Sequence, residues 1–369
     1  MQSVVSYGRF LFRAVVNEIG NEFLSSHWLS SNRLITSLKR RTFHLISALS
    51  GLSKTHSGPP LSPSFSPSFS QINQRSFGDD SCFAVQNNAA DVLGVADGVG
   101  GWRTYGVDPS QFSRSLMAIC ERLVKLGKFS AKKPIELLNN SYEEMQLEKT
   151  SLIGSCTACI VALNREDKKI YTANLGDSGF LVIRDGRIIH KSEEQTHYFN
   201  TPFQLALAPT MVPGAFISDS PDSAQSTTFS VEEGDLILIA TDGLFDNLND
   251  QVILKHLSNL KAGSSLADLQ KVANEIANEA HKCGFNPSHR SPFSINAANN
   301  GFNVIGGKPD DVTVLLAQVA CAGSSTDNSI DRNVLGQCND NYNSSGDGRP
   351  HPPPLHHHHH HGNKNNVPL

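Results

Sequence analysis

The sequence predicts a layered α+β sandwich, because strand-like runs follow one another along the chain and helical patterns are inserted between them in pairs. Six apolar runs are typical of strands buried on both faces. They lie at residues 92–96, 158–163, 169–175, 180–183, 235–241 and 312–319. Three further segments repeat apolar residues three and four positions apart, as helices do: 112–126, 134–145 and 266–280. Sheets covered by helices are therefore expected, and an alternating βαβ fold is not.

Only the middle of the 369-residue chain is expected to fold. Residues 71–322 hold all of these patterns and are predicted to form one domain. Residues 58–70 contain four prolines and a repeated Ser-Pro-Ser-Phe unit, which predicts a linker. Residues 323–369 have no hydrophobic period and are predicted to be disordered. Their histidine tract at 356–361 is either natural or a purification tag.

Residues 1–57 are predicted to be a mitochondrial transit peptide or a disordered basic segment. From Phe23 to Gly78 the chain has no Asp or Glu, while arginines, lysines and many serines are present. Upstream, apolar residues recur at helical spacing near Arg9 and Arg13, although two glutamates lie among them. An acid-poor, amphipathic start is typical of a transit peptide, so a location in the mitochondrial matrix is expected.

The composition excludes several classes of function. A net charge of −4 creates no field that would draw the chain onto nucleic acid, so no nucleic-acid partner is expected. The seven cysteines are scattered through a chain large enough to build its own core, which indicates a reducing compartment and no disulfide scaffold. No apolar run approaches the roughly 20 residues that span a bilayer, so no transmembrane segment is expected.

Acidic residues lie where predicted strands begin and end, and this pattern is the main indication of chemistry. Asp97 and Asp242 close strands, while aspartate pairs at 79–80 and 310–311 open them. In antiparallel sheets the end of one strand lies beside the start of its neighbour, so these acids can converge on one edge. Two carboxylates about 4 Å apart repel by roughly 4 kcal/mol at an effective dielectric of about 20, so a cation is needed between them. An all-oxygen ligand set favours Mg²⁺ or Mn²⁺ over Zn²⁺.

An Asp-Gly pair is also the commonest two-residue hairpin turn, so these pairs have a second interpretation. Asp185-Gly186 lies between two strand patterns and is predicted to be such a turn. Asp97-Gly98 is followed by a glycine-rich segment and Asp242-Gly243 by a helical pattern. Neither leads into a partner strand, and spacing alone leaves a metal role and a turn open for both.

Five motifs occur in order between residues 71 and 319: FGDDSCFAV, VLGVADGVGGW, NLGDSGFLVIRDG, LILIATDGLFDNL and GGKPDDVTVLL. This series resembles the motifs of the metal-dependent type 2C serine/threonine protein phosphatases, the PPM family. The resemblance implies a four-layer αββα sandwich of two antiparallel sheets flanked by helix pairs. It also implies two ions, Mn²⁺ or Mg²⁺, in a cleft at one end. Two stretches are similar to the mitochondrial subgroup implicated in coenzyme Q biosynthesis.

The resemblance implies roles for individual residues. Asp97 matches the aspartate that bridges the two ions, and Gly98 matches a backbone carbonyl ligand of one of them. Asp242 and Asp310 match the ligands of the other ion, while Arg75 matches an arginine that binds the substrate phosphate. Arg75, Asp97 and Asp242 are thus the expected catalytic residues. The residues matched to outer positions or to a third, weaker ion are Asp79, Asp80, Asp177 and Asp311.

The function implied is hydrolysis of phosphoserine and phosphothreonine monoesters on mitochondrial proteins, by direct attack of a water activated between two metals. Expected partners are such phosphoproteins, including those of coenzyme Q biosynthesis, and a monomer is expected. Val99 stands where many relatives have a His that is proposed as the general acid, and its replacement is left open. The alternative is a catalytically weak or inactive module that uses the fold for binding or regulation. A metal-dependent nuclease lacks the basic, aromatic surface that it would need.

Overall fold

The computed structural model describes residues 42–55, 77–147, 152–208 and 216–322. The strands in these ranges are β1 Phe43–Leu52, β2 Asp80–Gln86, β3 Ala90–Asp97, β4 Gly154–Cys156, β5 Ala158–Asn164, β6 Lys169–Leu175, β7 Gly179–Arg184, β8 Arg187–Lys191, β9 Thr196–Tyr198, β10 Thr201–Pro202, β11 Leu205–Leu207, β12 Gln225–Ser230, β13 Leu236–Ala240 and β14 Val312–Cys321. The α-helices are α1 Ser110–Lys125, α2 Pro134–Leu147, α3 Asp242–Phe245, α4 Asp250–Leu257, α5 Leu266–Gly284 and α6 Pro292–Asn299. All six predicted strands and all three predicted helices are present.

Ten of the strands form two five-stranded antiparallel sheets. The first sheet has the order β1-β14-β13-β7-β8, and the second has the order β12-β6-β5-β3-β2. The remaining strands form two short ladders, β9 with β10 and β4 with β11. Because neighbouring strands run in opposite directions, each sheet collects strand ends from distant parts of the sequence at a common edge.

The two sheets pack face to face and carry helices on their outer faces, as the α+β sandwich prediction requires. Between the sheets, Leu49, Phe180 and Ile239 of the first sheet join Val95 and Val161 of the second in one buried cluster. Helices α1 and α2 cover the outer face of the second sheet, with Phe112 and Leu116 fully buried. Helix α5 covers the outer face of the first sheet through Val272 and Ile276. The four layers αββα are thereby confirmed.

The prediction for residues 1–57 is wrong where it covers β1. This strand pairs with β14 over ten consecutive residues and forms an edge of the first sheet. Leu45, Leu49 and Leu52 are almost fully buried there, so the strand is part of the core. The basic, serine-rich composition of its surroundings concealed the strand. Residues 1–41, the predicted linker at 58–70 and the predicted tail at 323–369 lie outside the described residues.

Two smaller predictions concern the cysteines and the bilayer. Cys156 and Cys159 are buried thiols without a disulfide, and they belong to the cores on opposite sides of the second sheet. Both thiols therefore serve packing, Cys156 as the last residue of β4 and Cys159 within β5. Among the helices of the described residues, none combines the length and apolar character needed to cross a membrane.

Candidate metal centre

Two aspartates face each other across the β2–β3 hairpin. Asp80 begins β2 and pairs in register with Asp97, the last residue of β3. Asp80 is fully buried, and its Oδ2 accepts a hydrogen bond of 2.8 Å from the Thr241 hydroxyl. Burial and the nearby carboxylates of Asp242 and Asp80 raise the pKa of Asp97, because each adds to the cost of its charged form. This hairpin therefore places two acids at one end of the sandwich.

Asp242 reaches the same end from the first sheet. It is the first residue of α3 and follows β13 after a single residue, Thr241. Its Oδ2 accepts a hydrogen bond from the Lys308 ammonium, while its Oδ1 is buried with no hydrogen-bond partner among the described residues. Burial alone would raise the pKa of Asp242, but Lys308 lowers it below the usual value. Asp242 is thus a carboxylate with one oxygen left for a further ligand.

Asp310 and Asp311 immediately precede β14 and have different environments. Asp311 Oδ1 accepts from the backbone N–H of Lys54 at 2.7 Å, and its Oδ2 accepts from the backbone N–H of Asp79 at 2.8 Å. Asp310 lies between two ammonium groups, with Oδ2 3.4 Å from Lys308 Nζ and Oδ1 3.7 Å from Lys54 Nζ. Burial and neighbouring carboxylates raise the pKa of Asp310 to about 6. Asp311 therefore ties chain segments together, and Asp310 is the member of the pair that an ion could reach.

Asp79 is held by cations of the protein. Arg103 binds it in a bidentate pair, with both guanidinium nitrogens 2.6 Å from a carboxylate oxygen. Lys54 Nζ adds a contact of 3.2 Å. Arg103 belongs to the 3-10 turn Gly100–Tyr105, which directly follows the first Asp-Gly motif. Such a planar fork fixes the carboxylate in one orientation, so Asp79 positions this turn beside the acids.

Asp177 lies in the loop between β6 and β7 and extends the acidic group toward a cleft. Its Oδ1 is buried without a hydrogen-bond partner in the described ranges. Burial and the charge of Asp242 raise the pKa of Asp177, although Lys308 opposes that shift. A cleft of about 770 Å³ opens here. Its lining includes Asp177, Lys191, Glu194, Phe245, Asp250 and Pro292.

Three Asp-Gly pairs lie within the described residues, and their glycines show which of these pairs are turns. Gly186 has a φ of +72° and no atom within 4 Å of a would-be Cβ, so Asp185-Gly186 is the predicted hairpin turn. A Cβ on Gly98 would lie 2.6 Å from the Pro109 carbonyl oxygen, and one on Gly243 would overlap the Asp311 carbonyl oxygen. In the latter two pairs the glycine therefore allows close backbone packing behind an inward-facing aspartate.

Two lysines at this centre received no role from the sequence. Lys308 contacts Asp242, Asp246 and Asp310, while Lys54 contacts Asp79, Asp310 and Asp311. Burial raises the pKa of Asp246 to about 7, against the opposing effect of Lys308. The position of Lys308 in GGKPDD, two residues before Asp310, was a usable signal. Nothing in the sequence links Lys54 to the distant acids. Arg75 lies outside the described residues, so its role stays a prediction.

The donor set fits a hard divalent cation. Its members are carboxylate and carbonyl oxygens. Three carboxylate oxygens at this centre, the Oδ1 atoms of Asp80, Asp177 and Asp242, are buried and lack hydrogen-bond partners within the described ranges. Such oxygens are the ligands that Mg²⁺ and Mn²⁺ prefer. In the described part of the chain, no three His, Cys, Asp or Glu side chains already form a metal-binding group. Asp79 and Asp242 instead direct oxygens toward Arg103 and Lys308.

The sequence and fold match known phosphatases. The profile of the family described as protein phosphatase 2C covers residues 69–278. The protein phosphatase PTC7 homolog of Danio rerio is 48% identical over 320 residues, which are 87% of this chain and 99% of that protein. The Homo sapiens homolog is 57% identical over 244 residues, covering 66% of this chain and 80% of its own.

Among solved structures, the X-ray structure of the photosystem II phosphatase PBCP superposes with a TM-score of 0.59 at 28% sequence identity. The match covers 74% of this chain and 98% of that one. The chain therefore belongs to the protein phosphatase 2C family, whose members are PPM-type serine/threonine protein phosphatases. The predicted family and enzyme class are confirmed.

Proposed function

We propose that this phosphatase hydrolyses phosphoserine and phosphothreonine on mitochondrial proteins and uses two divalent ions, Mn²⁺ or Mg²⁺. The observation that carries the proposal is the convergence of Asp97, Asp242 and Asp310 from three distant chain segments. Their charges affect one another at one end of the sandwich. Buried carboxylates that lie close together repel one another unless cations compensate their charge. Such groups of acids are typical of metal sites.

Four residues would hold the two ions: the carboxylates of Asp97, Asp242 and Asp310 and the carbonyl of Gly98. Asp177 is the candidate for a third, weaker ion, because it carries a buried free oxygen next to the cleft. When bound, such ions lower the pKa of a coordinated water and neutralise the charge of a phosphate monoester.

The remaining residues of the centre orient these ligands. Thr241 fixes Asp80, and Asp311 joins the segments that carry Lys54 and Asp79. Arg103 is half exposed beside Asp79. We assign phosphate binding to Arg75, whose guanidinium would supply a fork of donors to the phosphate oxygens. Val99 has no proton to give, and we propose that a water protonates the leaving oxygen of the substrate in its place.

We assign the activity to the mitochondrial matrix, with proteins of coenzyme Q biosynthesis among the substrates. The acid-poor, basic and serine-rich N-terminal composition and the resemblance to the mitochondrial subgroup support this assignment. The enzyme is proposed to act as a monomer. Phosphoproteomics of matrix fractions with and without the protein would test the assignment, and unchanged matrix phosphorylation would contradict it.

The activity is tested with the full chain and a phosphothreonine peptide. Phosphate release is expected to rise at least about 100-fold when millimolar Mn²⁺ replaces excess chelator, since metal catalysis supplies several kcal/mol of barrier reduction. Removing the chelator and restoring Mn²⁺ to the same sample should recover the rate. Full activity in excess chelator would refute the proposed metal centre.

A further inference from the structure

Lys308 occupies the middle of the acidic centre. Its ammonium hydrogen-bonds to Asp242, lies 2.7 Å from Asp246 Oδ2 and lies 3.4 Å from Asp310 Oδ2. Only 17% of its side chain is exposed. An ammonium has three N–H donors, so its donors match these three carboxylates in number. The lysine therefore connects Asp242 at the start of α3 and Asp246 just after α3 with Asp310 in the segment before β14.

The protein holds the Lys308 backbone as well as its side chain. The Lys308 N–H donates to Asn247 Oδ1 at 2.9 Å, and Asn247 Nδ2 donates back to the Lys308 carbonyl at 2.9 Å. Asn247 is buried and also donates to the Gly243 carbonyl at 3.0 Å. The Phe293 ring lies 5.3 Å from Nζ, within cation–π range. A surface lysine that had turned inward by chance would not have this double backbone clamp.

The contact between Lys308 and Asp242 uses one oxygen and leaves the other free. Oδ2 accepts from the ammonium, and Oδ1 remains buried without a hydrogen-bond partner among the described residues. A carboxylate that ligates a metal is itself usually held by a hydrogen bond to a further residue, and loss of that residue weakens metal binding. Lys308 can support Asp242 in this way, because it binds Oδ2 and leaves Oδ1 available to a metal ion.

Lys308 also offsets the repulsion among the carboxylates around it. Asp242, Asp246 and Asp310 repel one another, and the ammonium is within 3.5 Å of all three. Removing one partner of a buried ion pair is strongly destabilising, because it leaves uncompensated buried charge. In protein without metal, the lysine therefore keeps the three carboxylates together before any divalent ion binds.

We infer that Lys308 is a positioning residue: it orients Asp242 for a divalent ion and holds the acidic centre together when that ion is absent. This inference rests on the metal centre proposed above, and it assigns a residue outside the four proposed ligands. A purely structural lysine would affect stability alike with and without metal and would leave metal affinity unchanged.

The test compares the full chain with Lys308→Met, which keeps the length of the side chain and removes the charge. Calorimetric titration with Mn²⁺ alone is expected to show a dissociation constant at least tenfold higher for one site of the variant. In chelator, the melting temperature of the variant should fall by several degrees, and saturating Mn²⁺ should recover most of that loss. Lys125→Met is the matched control, because Lys125 pairs with Glu121 on the exposed surface of α1.

The outcomes separate this inference from the proposed function. If the unmodified chain binds no Mn²⁺, the proposed metal centre fails. If it binds Mn²⁺ and Lys308→Met binds equally well or more tightly, only the role of Lys308 is overturned. A variant that folds in Mn²⁺ but not in chelator supports the inference. A variant that fails to fold in both overturns it.

Discussion

Replacing Asp97 with Asn is expected to abolish Mn²⁺-stimulated hydrolysis of a phosphothreonine peptide, lowering kcat/KM at least about 100-fold. An increase of about 3 kcal/mol in the activation free energy would suffice for that factor. The fold should not suffer, because Asn has the shape of Asp and removes one charge from a group of like charges. Since the charged form of Asp97 is disfavoured in the metal-free protein, the melting temperature in chelator should stay equal or rise.

Asp242→Asn should cause the same loss of activity with the opposite effect on stability. Lys308 favours the carboxylate of Asp242, so the neutral amide gives up that ion pair and the melting temperature in chelator should fall. Asp185→Asn is the matched control: it is also an Asp-Gly substitution, at a turn with a φ of 49° that Asn tolerates. Normal activity in Asp97→Asn, or equal loss in the control, would contradict the assignment.

Removing β1 is expected to be strongly destabilising. A chain beginning at residue 58, where the sequence predicted the transit peptide or basic segment to end and the linker to start, lacks the ten residues that pair with β14. Burial of Leu45, Leu49 and Leu52 is worth about 2 kcal/mol each, which together approaches a domain's total stability of about 5–15 kcal/mol. The truncated chain should be insoluble or unfolded, because β14 then becomes an exposed apolar edge.

A chain beginning at Thr42 is the control, and it should melt within a few degrees of the full chain. Because the longer truncation also removes Lys54, Lys54→Met in the full chain separates loss of the lysine from loss of the strand. Circular dichroism would compare the melting temperatures of the two truncated chains and of Lys54→Met with that of the full chain. A soluble chain from residue 58 with an unchanged melting temperature would show that β1 is dispensable.

The layers of the fold were predictable because long apolar runs and helical spacing survive in the sequence. The strand β1 was not predictable, since Phe43, Leu45 and Leu49 are embedded in a basic, serine-rich stretch. The average composition of that stretch indicates a basic segment without regular structure, and it hides the apolar pattern of one strand. Its partner β14 lies about 270 residues away in sequence, so pairing between them leaves no local signal.

The acids of the centre were predictable from their position at strand ends. Of the two lysines among them, only Lys308 left a signal in the sequence, and that signal was not used. Sequence reasoning required positive charge between the carboxylates and assigned all of it to metal. Lys308 and Lys54 supply part of it in the metal-free protein. Lys308 is adjacent to the acid motif, whereas Lys54 reaches it only because β1 lies beside β14. Contacts set by tertiary pairing cannot be read from either segment alone.

Anomalous diffraction from crystals of the full chain grown in millimolar Mn²⁺ tests the central claim most directly. Manganese peaks are expected among the carboxylates of Asp97, Asp242 and Asp310, with the Gly98 carbonyl as a further ligand. Lys308 should remain in contact with Asp242. Ordered aspartates with no manganese peak between them would contradict the account, whatever activity the preparation showed.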